Sequence, residues 1–317
     1  MTPESDTTIR GGGWRVVARK ELADHLLSAR FAVLIGVLGV AAAAAVYAAS
    51  SGIRDVAPQA IGIPGLFLKL FTVAADPVPF PFVTFVGFLA PLLGIMFGFD
   101  AISGERSQGT LPRLLSHPIH RDEVILGKFV AGLAVISVML TALTIFVSGI
   151  GIFRLGVSPT AAEVIRLTSW LVLTIVYVGF WLALAMVASV LVRRASTSAL
   201  SLVSVWLVLT LFGGLIFQAI GSIIGGNDQL AVARAQLTVA RLSPVTLFQE
   251  VSTVLLDPTQ RAVGLITFDQ VDRAVVSALS VSQSMLVVWP QVVAMIAMTG
   301  VLFAWAFIAF MRQEVRA

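Results

Sequence analysis

Long apolar runs broken by short polar segments dominate this 317-residue chain. Crossing a bilayer as a helix takes about 20 residues, and about six runs approach that length. They lie at roughly Phe31–Ala49, Pro81–Phe99, Phe129–Phe153, Thr168–Val192, Ser196–Gly221 and Val287–Met311. Little more than Arg193, Arg194 and Ala195 separates the fourth from the fifth, which predicts a tight hairpin at one membrane face. Only helices and closed barrels satisfy their backbone polar groups in lipid, and runs of this length select the helix. The predicted fold class is therefore all-α, an integral membrane protein with about six transmembrane helices.

The polar stretches predict further helices. Wound at the helical period, Trp14–Arg30 gathers Lys20, Glu21, Asp24, His25 and Ser28 on one side. Val16, Ala18, Leu22, Ala23, Leu26, Leu27 and Ala29 occupy the other. Arg15, Arg19 and Arg30 intrude on that apolar side, where long basic stems can snorkel. This reads as an interfacial helix on the inner membrane face, with a plain cytosolic lead-in as the alternative. The segment Ser222–Leu286 is too long for a bare connection. Ser243-Pro244 is a helix start, Asp257-Pro258 a stop, and Thr267–Gln270 fits a capping box. Two or three short amphipathic helices forming a small external cap are expected there, with Ser50–Phe80 packed beside them. The alanine-rich stretch Val40–Ser51 resembles a signal-peptide cleavage site. The long, mixed-charge segment before it favours a retained span.

Composition agrees with this layout. Hydrophobic residues make up 58% and charged residues 12% of the chain, against about 25% charged in soluble domains. Lipid must cover what so few charges cannot. A formal net charge of +4 would suggest nucleic acid on a soluble protein. Here the basic residues cluster at the ends of apolar runs, so no nucleic-acid partner is expected. Met1–Arg30, Ala101–Lys128, Arg193–Arg194 and the tail after Met311 hold 13 of the 21 lysines and arginines. The positive-inside rule places these segments, and both termini, in the cytoplasm, so the chain is expected in the cell membrane. The absence of cysteine excludes disulfides, thiolate metal sites and cysteine nucleophiles.

Candidate chemistry is sparse. There is no G-x-x-x-x-G-K-[ST] phosphate loop and no H-E-x-x-H helix. His117 and His120 flank Pro118 and read as surface histidines in a basic loop. Ion-coupled transporters bury charges within their spans. Here the apolar runs offer Gln218 and Gln291 in place of any ionisable residue away from their ends. No catalytic residue, metal ligand or cofactor is therefore expected in this chain, and energy for transport must enter from outside the membrane part.

The loop Asp100–Lys128 is the most informative segment. Thr110 can cap a short helix with Pro112 in its first turn, and Leu111, Leu114 and Leu115 give it an apolar face. Pro118 stops it. Arg121, Asp122 and Glu123 then start a helix that continues through Gly127 and Lys128 into the third span, its acids near the positive end. A short, rigid, charged helix just under the membrane suits docking to a cytoplasmic partner.

Several runs here resemble ABC-2 type transporter permeases, in particular their NosY-like branch. They are Ser103-Gly-Glu-Arg-x-x-Gly-Thr-Leu111, Leu114-Leu-Ser-x-Pro-Ile119 and Arg121-Asp-Glu-Val-Ile-Leu-Gly-Lys128. Arg19-Lys-Glu-Leu22, Leu242-Ser-Pro244 and Leu255-Leu-Asp-Pro258 are looser matches. The resemblance implies a half-transporter. Two copies, or this chain and a paralogous permease, would pair with two ATP-binding subunits that hold the ATP and Mg. The N-terminal helix would be an interfacial elbow, and Gly109–Ser116 the coupling helix that fits a cleft on the ATPase. Glu105 and Arg106 would fix the approach to it, and Arg121 and Lys128 would stand at the cytoplasmic entry to the third span. The direction implied is export. Small residues in the first and fifth spans would permit close helix approach. Competing readings are a stand-alone secondary transporter or channel, an assembly platform and a membrane-embedded enzyme.

Overall fold

The computed structural model describes residues 12–56, 65–110, 120–260 and 278–313. Apart from one isolated bridge between Ala75 and Val78, all regular structure among them is helical. In chain order the helices are α1 Gly13–Leu26, α2 Ala29–Val56, α3 Lys69–Thr72, α4 Phe82–Gly98, α5 Ser103–Ser107 and α6 Arg121–Leu155. They continue with α7 Ala161–Leu191, α8 Ala195–Leu207, α9 Gly213–Gly225, α10 Gln229–Ala240, α11 Pro244–Leu256 and α12 Val281–Arg312. A five-residue π-helical turn, Val208–Phe212, joins α8 to α9.

Helices α2, α6, α7, the α8–α9 unit and α12 are each long and apolar enough to cross a membrane. Helix α4 has 17 residues, a length of about 25 Å against a hydrocarbon core of about 30 Å. It sits at the lower limit for a crossing and makes the sixth. Successive crossings alternate in direction. Contacts of α1 with the start of α6, and of Gln313 with Arg121, bring both ends of the described chain to one end of the bundle. That end is called the near end below, and the opposite one the far end.

The crossing helices extend beyond their apolar runs. Helix α7 begins at Ala161 rather than Thr168, because Thr160 Oγ1 accepts from the Glu163 N–H at 3.3 Å. The Glu163 carboxylate returns the bond to the Thr160 N–H at 2.8 Å. A matching box of Ser280 and Gln283 starts α12 at Val281 rather than Val287. Hydropathy registers only the apolar stretch, whereas reciprocal capping satisfies the orphan N–H groups that mark the true start. Helix α2 likewise runs on to Val56 through Ser50 and Ser51, whose hydroxyls donate back to the Tyr47 carbonyl. The expected box at Thr267–Gln270 lies outside the described residues.

Helix α7 is the centre of the bundle, with 67% of its apolar window buried against 17% for α8–α9 and 11% for α12. Helix α4 approaches it backbone to backbone. A Cβ on Gly94 would stand 2.6 Å from the Val178 carbonyl oxygen, and one on Gly98 2.6 Å from the Ala185 Cβ. Small residues thus let backbones approach in the second span, as they do where Gly221 and Gly225 lie against Gln236 and Val232 of α10. In the first span it is Ala42, Ala45, Ala48 and Ala49 that are buried, whereas a Cβ on Gly36 or Gly39 would meet nothing within 4 Å. The helix face of these two glycines meets no other described residue.

Towards the far end, Phe71, Phe82, Trp170, Tyr177 and Phe248 form an aromatic cluster, with Tyr177 stacked on Phe248 at 4.3 Å. Its polar tips are satisfied. Trp170 Nε1 donates to Ser252 Oγ at 2.9 Å and Tyr177 OH to the Gly87 carbonyl at 3.0 Å. This cluster draws in α11, nine of whose 13 residues are buried. Helix α11 therefore packs into the bundle, where a peripheral cap was expected. Pro244 opens it and it stops at Leu256, before Asp257-Pro258, as the sequence predicts.

These contacts give a stability test. Gly94→Ala forces α4 off α7 and is expected to cost about 1–3 kcal/mol, as overpacking does. Gly36→Ala should cost nothing measurable. Thermal unfolding of both variants in detergent, followed by tryptophan fluorescence, checks the contrast.

Candidate functional site

The near end is built around Lys128, two turns into α6. Its neighbour Gly127 lets α1 lie directly on α6, since a Cβ there would meet the Trp14 carbonyl oxygen at 2.8 Å and the Val17 Cβ at 2.7 Å. Glu123 fastens the same junction. Its carboxylate accepts from the His120 N–H that precedes α6, at 3.2 Å, and from the Gly13 N–H that opens α1, at 3.0 Å. The positive end of α6 favours an acid at this position.

With α1 held there, Glu21 reaches Lys128 Nζ at 3.1 Å, and Glu105 of α5 reaches it at 2.8 Å. The Lys128 side chain is only 6% exposed, so the ammonium has exchanged water for two carboxylates. Breaking such a buried set by removing one partner typically costs about 3–5 kcal/mol. Burial pushes the Glu21 carboxyl up, but Lys128 and Lys20 together outweigh it and hold its pKa below the ordinary 4.5. Burial also depresses the His25 pKa, against the pull of Glu21, where the ring packs edge-on to Phe97. Beside this group, Arg30 pairs with Asp100 at 2.7 Å.

Helix α5 is fixed by its neighbours. Ser189 Oγ, near the end of α7, accepts from the Ile102 and Ser103 N–H groups at 2.9 and 3.0 Å. Its exit is a Schellman turn: the Thr110 N–H donates to the Glu105 carbonyl at 2.9 Å and the Gly109 N–H to that of Arg106 at 3.2 Å. Gly109 has φ +68°, the left-handed conformation that favours glycine at this position. The Thr110 hydroxyl also donates to the Glu105 carbonyl. Arg106 and Arg121 both bond to Gln313, just past the end of α12.

Of the residues singled out in the sequence, Glu105, Arg106, Gly109, Thr110, Arg121 and Lys128 thus come together at the near end. Leu111, Leu114, Leu115 and His117 lie outside the described residues, as does the helix that Thr110 was expected to cap. Sequence reasoning missed Glu21, Glu123, Ser189 and Gln313 as partners. Glu21 was assigned to the polar face of α1, and nothing in a linear reading pairs it with Lys128.

Towards the far end, two ionisable groups depart from the expected pattern. Arg166 is buried on α7, and donates to Ser284 Oγ and the Leu255 and Leu279 carbonyls. Glu250 on α11 pairs with Arg241 at 3.1 Å and accepts from Gln291 of α12 at 2.9 Å. Both are satisfied by local partners. Two open grooves of about 600 and 550 Å³ meet at Thr210, Leu211, Val245 and Gln249. Among the described residues, Asp257 is their one charged lining residue. Among the described residues no cluster of three His, Cys, Asp or Glu could hold a metal ion.

Two outcomes check the Lys128 group. Lys128→Met leaves two carboxylates facing each other and is expected to lower stability by about 3–5 kcal/mol. Because the native Glu21 pKa is depressed, its pair stabilises fully above the ordinary 4.5 and fades as the pH falls through the native value. Acid melting curves of Glu21→Gln should accordingly fall less steeply below that pH than those of the unsubstituted protein.

Residues 15–315 match the family described as ABC-2 family transporter protein. Two similar proteins are each named "Probable ABC transporter permease protein NosY". The one from Stutzerimonas stutzeri is 34% identical over 121 residues, and the one from Pseudomonas aeruginosa 35% identical over 113. Each alignment covers 36% of this chain and spans only 36% of the relative's length. The family match runs from the third residue of α1 to beyond α12, and on that evidence the chain belongs to the ABC-2 transporter family.

Proposed function

We propose that this chain is the membrane-spanning permease subunit of an ATP-binding cassette transporter, driven by a separate ATP-binding subunit. Family membership supports the class. The near-end geometry supports the route by which force enters. One observation carries it: the buried Lys128 ammonium clamps Glu105, on the loop side, to Glu21, on α1. The segment 111–119 therefore leaves from and returns to fixed points, a Schellman turn at Gly109 and Thr110 and a capped helix start at His120. A segment so anchored transmits a push, where a slack one would absorb it.

In this reading the segment around Gly109–Ser116 docks on the ATPase. ATP and Mg belong to that partner, and this chain supplies no hydrolytic group. ATP binding draws the ATPase subunits together, and the docked segments carry the near end with them. Two permease copies enclose the path, since only 17% of the apolar α8–α9 window is buried among the described residues. The near end faces the cytoplasm, because it collects Arg15, Arg19, Arg30, Arg106, Arg121, Arg193, Arg194 and Arg312 at the ends of the crossings. Export is the direction implied. The grooves at Thr210 and Gln249 offer cargo hydroxyl and carboxamide groups and no basic residue, which suits an uncharged or cationic solute better than an anion.

A stand-alone ion-coupled transporter would need an intramembrane charge facing a cavity. Glu250 is instead paired with Arg241 and bonded to Gln291, and the groove-lining Asp257 is paired with Lys69 at 3.3 Å.

Two experiments test this reading. Deleting Thr110–Ser116 should abolish co-purification with the ATP-binding subunit and leave the detergent melting curve unchanged; a complex that survives the deletion overturns the docking role. A single cysteine can be placed on this cysteine-free chain at the exposed Gln108. In intact cells it should react with permeant and not with impermeant maleimides, and the reverse result would put the near end outside.

A further inference from the structure

Gln313 makes hydrogen bonds to three distant parts of the chain. Its Oε1 accepts from Arg106 Nη2. Its Nε2 donates to the Val190 carbonyl at 2.7 Å. Its backbone carbonyl accepts from Arg121 Nη1 at 2.8 Å. Arg106 lies on α5, before the segment 111–119, and Arg121 opens α6, after it. Both flanks of that segment are therefore fastened to a residue about two hundred positions away, at the foot of the last span.

Each bond has a local cause. Helix α7 stops at Leu191, so the Val190 carbonyl has lost its intrahelical partner and accepts a carboxamide instead. The carbonyls at the end of α12 carry that helix's partial negative charge, which draws cations. Arg106 and Arg121 supply two from opposite sides of the loop. The carboxamide can accept from a guanidinium with one atom and donate to a carbonyl with the other. A carboxylate or an ammonium at this place could do only one of these.

By covalent connection alone, a displaced loop would drag α4 and α6, the two spans that it joins. Ser189 already ties α5 to α7, and the Gln313 bonds add α12. We propose that Gln313 is the positioning residue that makes the last span follow the inner loop. Movement at the flanks of the segment 111–119 thereby reaches α12 directly. This rests on the permease reading above and deepens it, because it names where the loop's displacement is delivered.

The test uses the purified complex with its ATP-binding subunit. Spin labels are placed on cysteines introduced at the exposed Ile308 of α12 and Leu200 of α8. With the unsubstituted Gln313, a non-hydrolysable ATP analogue should change the distance between the labels. Gln313→Ala, which keeps only the backbone bond to Arg121, should still bind the ATPase, show a clearly smaller change, and turn over ATP in the complex about fivefold more slowly, the lower end of ordinary coupling effects. Gln313→Glu keeps the acceptor for Arg106 and should retain the distance change. A merely structural role would lower the melting temperature of Gln313→Ala while its folded molecules still moved. An unaltered distance change in Gln313→Ala therefore overturns the inference, whatever its melting temperature. Failure of the unsubstituted chain to form any complex overturns the permease reading itself.

Discussion

A buried ammonium group has two ways to exist away from water: it finds carboxylates or it gives up its proton. Lys128 takes the first, and the near end is organised by that choice. It is only 6% exposed, with Glu21 at 3.1 Å and Glu105 at 2.8 Å. Those acids come from two other helices, α1 and α5. Neither can leave without exposing a charge to low dielectric, so α1, α5 and α6 behave as one body. Gly127 matters for the same reason, because any side chain there would lift α1 and carry Glu21 out of reach.

The remainder of the bundle is held by contact rather than by charge. Helix α4 lies on α7 at the van der Waals limit through Gly94 and Gly98, and the Tyr177, Trp170 and Phe248 cluster closes the outer half of the same interface. In lipid, close packing of this kind substitutes for the hydrophobic drive that water would provide. The α8–α9 unit is packed far less and is interrupted by a π turn at Val208–Phe212. Helices held closely on α7, beside this loosely packed unit, are an arrangement in which some spans can move against others.

The sequence made the crossings legible because each is a long apolar run in which local composition and burial agree. It made the ends less legible. Thr160 with Glu163, and Ser280 with Gln283, start their helices before the apolar run begins, and only their box spacing hints at it. Helix α11 read as part of an external cap because it lies in a long segment between spans, but place in the chain says nothing of what a helix packs against. At the candidate site, the loop residues stood out through turn chemistry and charge. Their partners did not, since Glu21, Ser189 and Gln313 are brought there by tertiary contacts across 86 to 207 positions. An unremarkable glutamine after an apolar helix carries no local sign of that role.

Glu250 and Arg241 sit on neighbouring helices only nine positions apart, whereas Gln291 follows 41 positions later. The acid thus travels with its own counter-ion. By the time the ribosome has made the last helix, the charge to be accommodated is already cancelled, and a single carboxamide bond suffices to seat it.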